Sequence, residues 1–514
     1  MDAKLRRTWV WPATALTIAV VCLAPLALVD VPPVLDYPNH LARFYVLAHP
    51  DDPTLSRMYA PHWAILPNIG LDLIGQALLR WLPAYVAGRI LLALSLLAPL
   101  AGVVVYARAA FGRWTWWSLG CGVIAFNAIL FLGFMNFLVS LGLALAGAAG
   151  WRVLRRRGWD VAAALAGAAV SPCVFFCHLL GFGFFALLIG SAEAEALWRQ
   201  RRDDRLSWRD ASRAALLLGV ALGPTAALYV ATHRPVGHSD LLVWRWAAKL
   251  VQWLIPFMTY NMLVAGVTAV IVSGVVIVLW RKAERAEGAT LALAALGVLF
   301  LIAPFAVAGG TFVDSRLPLM AALLLFAGLA PQPSRRAGAA IAAVFGILIL
   351  GRAAEVAVAW AGRARDLADL RAELAYVPPG AKLLPAQTQF LPAQEQARGR
   401  GLPNFSRMDD HLAAVALIER QAFWPLLFAD PSQQPVIVRP PYDALAQPLG
   451  QVAPWERLFD APPTPADVAQ YSYLADWRAR FDFVLLVGPP PAQTPPGLTL
   501  VRGAEAVSLY RVAR

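Results

Sequence analysis

Within eight residues, Asp36-Tyr37-Pro38-Asn39-His40-Leu41-Ala42-Arg43 offers a carboxylate, an imidazole and a guanidinium directly after the first hydrophobic run of the chain. A carboxylate beside a membrane can act as a general base on a hydroxyl. It can also help hold a divalent cation such as Mg or Mn, because hard cations prefer oxygen ligands. A helix beginning near Pro38 would put His40 and Arg43 on one face, with Asp36 just before its start. Such a face can receive an anionic phosphate, Arg43 through a fork of hydrogen bonds and His40 as a donor. The plainer alternatives are a turn cap for Asp36 and headgroup anchoring for Arg43.

The elements that must position these groups are membrane helices. The chain has 514 residues, of which 59% are hydrophobic and 15% charged, and a mean hydropathy of +0.58, too apolar for a soluble globular core to hide. The net charge of +12 does not point to nucleic acid, because the basic residues sit in short clusters between apolar runs: Arg6-Arg7, Arg155-Arg156-Arg157, Arg199 to Arg213, Arg281-Lys282 and Arg335-Arg336. The four cysteines all fall in apolar stretches and imply no disulfide framework.

Runs of spanning length fall at 9–29, 84–107, 115–131, 136–152, 160–176, 178–197, 214–231, 259–280, 289–308, 316–330 and 337–359. A further stretch, 64–82, carries Asn68, Asp72, Gln76 and Arg80 at spacings of four, the polar stripe of a helix lying in the interface. If that stretch crossed, Arg152 to Arg157, Arg199 to Arg213 and Arg281 to Arg285 would land outside; if it lies flat all of them land inside, as cytoplasmic loops require. The chain therefore reads as an α-helical polytopic membrane protein of about 11 transmembrane helices. Residues 1–359 form the membrane domain, with an uncleaved signal anchor and a first external loop at 30–83, and residues 360–514 a small extracytoplasmic α/β domain. In that tail, Pro435 to Val438, Phe481 to Val487, Leu498 to Val501 and Val507 to Val512 read as strands, and Asp366 to Leu374 and His411 to Phe428 as helices.

This topology sends the unusual polar residues to one side. Asp36, His40 and Arg43 lie in the first external loop, Asn127 and Asn136 flank the turn between the third and fourth spans, and His178 lies between the fifth and sixth. His233, Arg234, His238 and Asp240 follow the seventh span, and Asp314 and Arg316 lie between the ninth and tenth. For His178 a structural role competes with a functional one, and for Asp314 and Arg316 a simple ion pair does. Within the last span, Arg352 and Glu355 are spaced to pair with each other.

The layout resembles the GT-C superfamily of membrane glycosyltransferases, which includes protein O-mannosyltransferases and lipid A aminoarabinose transferases. The resemblance rests on Asp36 after the first span followed by His40, a long first loop with interfacial helices, about eleven spans with polar outer junctions, and an extracytoplasmic C-terminal domain. The family's common paired acid is absent, since Tyr37 follows Asp36. The resemblance implies a bacterial inner-membrane enzyme that takes a sugar from a polyprenyl-phosphate donor. The sugar passes to a glycan, lipid or protein acceptor on the outer side, with Asp36 and His40 catalytic. Arg43, His178 and Arg316 would bind the donor phosphate, Asn136 and Asp314 would be further site candidates, and any metal would sit at Asp36. A transporter of a lipid-linked substrate, or a non-catalytic assembly subunit of the same fold, is the competing expectation; the former would need polar residues deep in several spans.

Overall fold

The structure, a computed structural model, describes residues 3–232, 242–307, 310–388, 401–403, 407–460 and 462–513. Among these, eight helical stretches are long and apolar enough to cross a membrane. They belong to helices α1 (Ala3–Leu23), α5 (Ala84–Phe111), α8 (Met135–Arg156), α9 (Asp160–Cys177), α10 (Leu179–Arg202), α11 (Trp208–Thr232), α13 (Met262–Leu279) and α16 (Arg335–Leu374). Between α1 and α5 the first loop carries α2 (Tyr37–Ala48), α3 (Leu55–Met58), strand β1 (Tyr59–Pro61) and α4 (Gly70–Leu79). The shorter α12 (Trp246–Gln252), α14 (Ala289–Ile302) and α15 (Leu317–Gly328) complete the bundle. The protein is thus a multi-pass membrane protein.

Close helix contact in the bundle relies on small residues, as packing without a hydrophobic driving force requires. Between α5 and α8, a Cβ on Gly142 would fall 2.4 Å from the Ala98 carbonyl oxygen. At one end of the bundle the basic clusters are tied by ion pairs: Arg155 to Asp160 (2.5 Å) and Glu193 (2.7 Å), Arg113 to Glu284 (2.6 Å), and Arg199 to Glu287. That end is closed by the short pairing of β2 (Ala283–Arg285) with β3 (Leu329–Pro331).

The run at 115–131 is not one helix. It forms α6 (Trp116–Leu119), a 3-10 turn at Gly120–Ile124 and α7 (Ala128–Leu132). Asn127 makes the break: its amide donates to the carbonyls of Ile124 and Ala125 while its Oδ1 accepts from the Leu130 N–H, ending one helical piece and capping the next. The segment still runs the depth of the first span, because Trp11 bonds Thr115 at one end (3.2 Å) and the Asp36 N–H bonds Leu132 at the other (3.3 Å).

The interfacial helix expected within 64–82 is the ten-residue α4, with Asp72 of the polar stripe turned inward. Asp72 points into the protein with no exposure while Leu73 and Ile74 face outward. Arg352 and Glu355 do not form the expected pair either. Arg352 donates to the carbonyls of Phe257 and Phe126, and Glu355 accepts from Thr259 and the Asn261 N–H.

Helix α16 runs 40 residues without interruption through position 359 and absorbs the separate helix expected at Asp366 to Leu374. Beyond it lies a five-stranded sheet of β4 (Leu383–Gln387), β6 (Ala453–Pro454), β7 (Phe483–Val487), β8 (Leu498–Gly503) and β9 (Val507–Val512), in the order β6-β4-β7-β9-β8. The wholly buried β7 runs parallel to β4 and antiparallel to β9. Strand β4 has the sequence Leu-Leu-Pro-Ala-Gln, and its proline hid it from pattern reading. The expected strand at Pro435 to Val438 is β5 (Val436–Val438), which leaves this sheet and pairs with β1 of the first loop, Tyr59 opposite Val438. The helix expected from His411 to Phe428 is reduced to a 3-10 turn at Leu412–Ala414 and the six residues Val415–Arg420, stopped by Gln421 at φ +49°.

Candidate active site

Asp36 occupies the N-cap position of α2, yet its side chain makes no capping hydrogen bond. Its backbone is held instead by the turn after α7, where Gly133 has φ +88° and a Cβ would lie 2.8 Å from the Cβ of Asp36. Only glycine allows both that φ and that approach. Gly133→Ala is therefore expected to cost about 1–3 kcal/mol and to displace Asp36, lowering melting temperature and any Asp36-dependent activity together.

Two sequence-distant elements and α2 itself bring partners to Asp36. His411, from the C-terminal part, places Nε2 3.6 Å from Asp36 Oδ1. Arg316, from the 3-10 turn before α15, and Arg43 of α2 act on the carboxyl through their positive charge. Burial dominates: it raises the Asp36 pKa to about 7, against the opposing pull of Arg316 and then Arg43. Burial likewise lowers His411 to about 4 and His40 well below its usual value, so both imidazoles are neutral at pH 7.

Arg316 Nη1 lies 2.9 Å from Nε2 of His178, and its guanidinium covers the ring of Phe134 at 4.3 Å. His178 caps α10 by accepting the Leu180 N–H on Nδ1 (3.0 Å). Both ring nitrogens of His178 thus face an N–H donor, Leu180 at Nδ1 and Arg316 at Nε2, and Arg316 Nε is buried without a hydrogen-bond partner among the described residues. An acceptor anion would satisfy that Nε.

The remaining predicted residues have structural partners. Arg43, with no exposure, grips Asp72 through Nε (2.6 Å) and Nη2 (2.9 Å), so a carboxylate of α4 fills the fork expected for a phosphate. Asn136 clips the start of α4, accepting from the Leu71 N–H (2.8 Å) and donating to the Asn68 carbonyl (2.9 Å). Asp314 pairs with Lys249 of α12 (3.2 Å) and accepts from Gln252 (3.2 Å), rather than pairing with Arg316. His40 is buried between Phe44 and Phe428, and its Nδ1 is without a partner among the described residues. His233, Arg234, His238 and Asp240 lie outside the described residues.

A metal at Asp36 fits this surrounding poorly. Its charged neighbours are two guanidinium groups and its nearest further ligand a single imidazole, whereas Mg²⁺ and Mn²⁺ favour several oxygen ligands. No group of three or more His, Cys, Asp or Glu side chains suited to a metal occurs among the described residues.

Sequence reading missed His411, which sits in a polar, unremarkable stretch, and Asn39, which lay inside the motif but carries no charge. Asn39 is wholly buried and docks the C-terminal part onto α2, donating to the Leu426 carbonyl (2.7 Å) and accepting from the Phe428 N–H (3.0 Å). Neither signal is visible without the contact between segments nearly 400 residues apart.

No protein-family model matches the chain, and no curated protein sequence matches it. Among solved structures, ArnT from Cupriavidus metallidurans bound to undecaprenyl phosphate superposes with a TM-score of 0.52 at 14% identity, over 99% of this chain and 98% of that one. The apo structure of the same protein gives a TM-score of 0.47 at the same identity and coverage. The likeness runs the full length of both chains, so it includes the first loop and the C-terminal part as well as the bundle. The chain thus shares the overall fold of ArnT.

Proposed function

We propose that the protein is a membrane glycosyltransferase that moves a sugar from a polyprenyl-phosphate-linked donor to an acceptor at the outer face of the membrane. One observation carries this reading: the guanidinium of Arg316, held by His178 and with its buried Nε unpartnered among the described residues, acts on the Asp36 carboxyl. The fold adds to it, since the similar ArnT structure holds undecaprenyl phosphate.

In this reading Asp36 accepts the proton of an acceptor hydroxyl as its oxygen attacks the anomeric carbon. The bond from that carbon to the phosphate oxygen breaks, with inversion, and Arg316, held in place by His178, receives the charge that develops on the departing lipid phosphate. An apolar cavity of about 400 Å³ between α13, α14 and α15, lined by Phe257, Val272, Val276, Leu293 and the Leu317-Pro318 step that follows Arg316, suits the prenyl chain. The gathering of basic clusters at the opposite end supports an outer-face site with eleven crossings.

The test is transfer of radiolabelled sugar from polyprenyl-phosphate donors in membranes carrying the protein. Absence of transfer with every donor tried would defeat the reading. Arg316→Ala is expected to lower kcat/KM for the donor about 10²-fold, roughly one charge-assisted contact in a desolvated site, and Arg316→Lys to recover only part of it. A normal kcat/KM in Arg316→Ala would remove Arg316 from the site.

The pH profile follows from Asp36. Its ionised form is the base, and with its pKa raised to about 7 transfer should rise with pH and level off above that value. The sign for stability is the reverse: between its unfolded value near 4 and about 7 the folded state holds the proton more tightly, so this group's contribution to stability falls as pH rises through that window. A flat transfer profile from pH 5 to 8 would contradict the assignment.

A further inference from the structure

We propose that His411 is the positioning residue of this site, and that the C-terminal part thereby completes the active centre of the membrane part by fixing the orientation of the Asp36 carboxylate. This rests on the assignment of Asp36 as base. Three linked contacts set the geometry.

The first is the amide of Asn39. Its Oδ1 accepts from the Phe428 N–H (3.0 Å) and its Nδ2 donates to the Leu426 carbonyl (2.7 Å), so two backbone groups dictate which atom is oxygen and which nitrogen. The second follows from it: Nδ2 lies 3.3 Å from His411 Nδ1, which must then be the accepting nitrogen. A neutral imidazole so pinned carries its proton on Nε2. The third contact is that Nε2, 3.6 Å from Asp36 Oδ1. The gap is a few tenths of an ångström beyond hydrogen-bond length, the looseness that catalytic pairs show before substrate closes them. Phe428 packs edge-on against the ring at 5.2 Å and holds its plane.

The relay therefore runs from the backbone at 426–428 through Asn39 and His411 to Asp36. It reproduces in another fold the logic by which a third group sets the tautomer of an active-site histidine. Arg316 from the turn before α15 and Arg43 and His40 from α2 are the other ionisable groups acting on the Asp36–His411 pair. Of these groups His411 is the one that the C-terminal part contributes. Undocking that part would leave the guanidinium groups in place and remove the imidazole N–H that points at the carboxylate.

The tautomer can be read without any transfer assay. In full-length protein carrying ¹⁵N-labelled histidine in nanodiscs at pH 7, with the His411 signals identified by their loss in His411→Gln, the ring should be neutral and protonated on Nε2. Its Nε2 shift should move in Asp36→Asn. A ring protonated on Nδ1, a charged ring, or signals insensitive to Asp36→Asn would overturn the inference.

Kinetics supply the second arm. His411→Phe keeps the packing and loses the N–H. At pH 7 it should lower kcat about 10-fold with donor KM unchanged, and move the acid limb of the profile up by about one pH unit, because the carboxylate loses a donor that favours its charged form. His411→Gln, which retains an N–H, should restore most of both. Loss of folded protein or a changed KM with an unmoved pH limb would overturn the inference. If wild type transfers no sugar from any donor, the proposed function fails and the imidazole spectra alone decide the role of His411.

Discussion

Asp36→Asn should reduce sugar transfer by about 10²–10⁴-fold, the contribution of a positioned general base, while leaving the protein folded and donor binding intact. The substitution is isosteric, and Asp36 makes no capping hydrogen bond whose loss would unravel α2. Burial raises the carboxyl of Asp36 to about 7, so an amide, neutral at every pH, removes little stability and should, if anything, add some above pH 7. The measurement is single-turnover transfer from a polyprenyl-phosphate donor, alongside donor affinity. Undiminished transfer would take Asp36 out of the chemistry. A loss of donor affinity with an unchanged chemical rate would instead make it a binding residue.

The second large effect is on stability. Asp72→Ala leaves the guanidinium of Arg43 wholly buried without its hydrogen-bonded counter-charge, and removal of one partner from such a pair costs about 3–5 kcal/mol. The expected outcome is a sharply lower yield of monodisperse protein and a lowered melting temperature in detergent. Replacing both partners by leucine should recover much of the loss, since an apolar pair of similar volume avoids the uncompensated charge. A phosphate-binding role for Arg43 predicts the opposite pattern: Asp72→Ala would free the fork and tighten donor binding with the fold intact. The two roles for Arg43 are therefore separated by one variant and two measurements.

Much of the architecture was legible in the residue order. The helices at 84–111, 135–156, 160–177 and 208–232 fall where their apolar runs do, because a bilayer core demands a fixed length of apolar residues whatever their neighbours. The position of Asp36 was equally local, being the first ionisable group of a dense motif after the first span. Three things were hidden. The break at 115–131 depends on Asn127 bonding to carbonyls two and three residues back, which apolar counting cannot detect. The inward face of α4 depends on Arg43 waiting opposite it, so a polar stripe that suggested contact with headgroups turned out to hold a buried charge pair. The sheet order depends on β4, whose proline obscured it.

The site divides in the same way. His178 and Arg316 stand out in sequence because ionisable residues beside apolar runs are costly unless used, and the structure brings these two to one place, 2.9 Å apart. Arg43, Asn136 and Asp314 stand out for the same reason, but each is consumed by a partner on another element. Composition reports that a polar group must be satisfied; it does not report by what.

By itself, then, the sequence determined that the chain lives in a membrane, how it is divided between apolar runs and a polar tail, which end of the bundle carries the basic clusters, and that Asp36 emerges from the first span. These follow from transfer free energies and charge, which add along the chain residue by residue. Tertiary structure alone decided that Arg43 belongs to Asp72, that Arg316 faces His178, and that His411 reaches Asp36 from the far end of the chain. Those are pairwise energies, set by hydrogen-bond geometry over a few ångströms between segments up to 375 residues apart. They exist only once the helices have met.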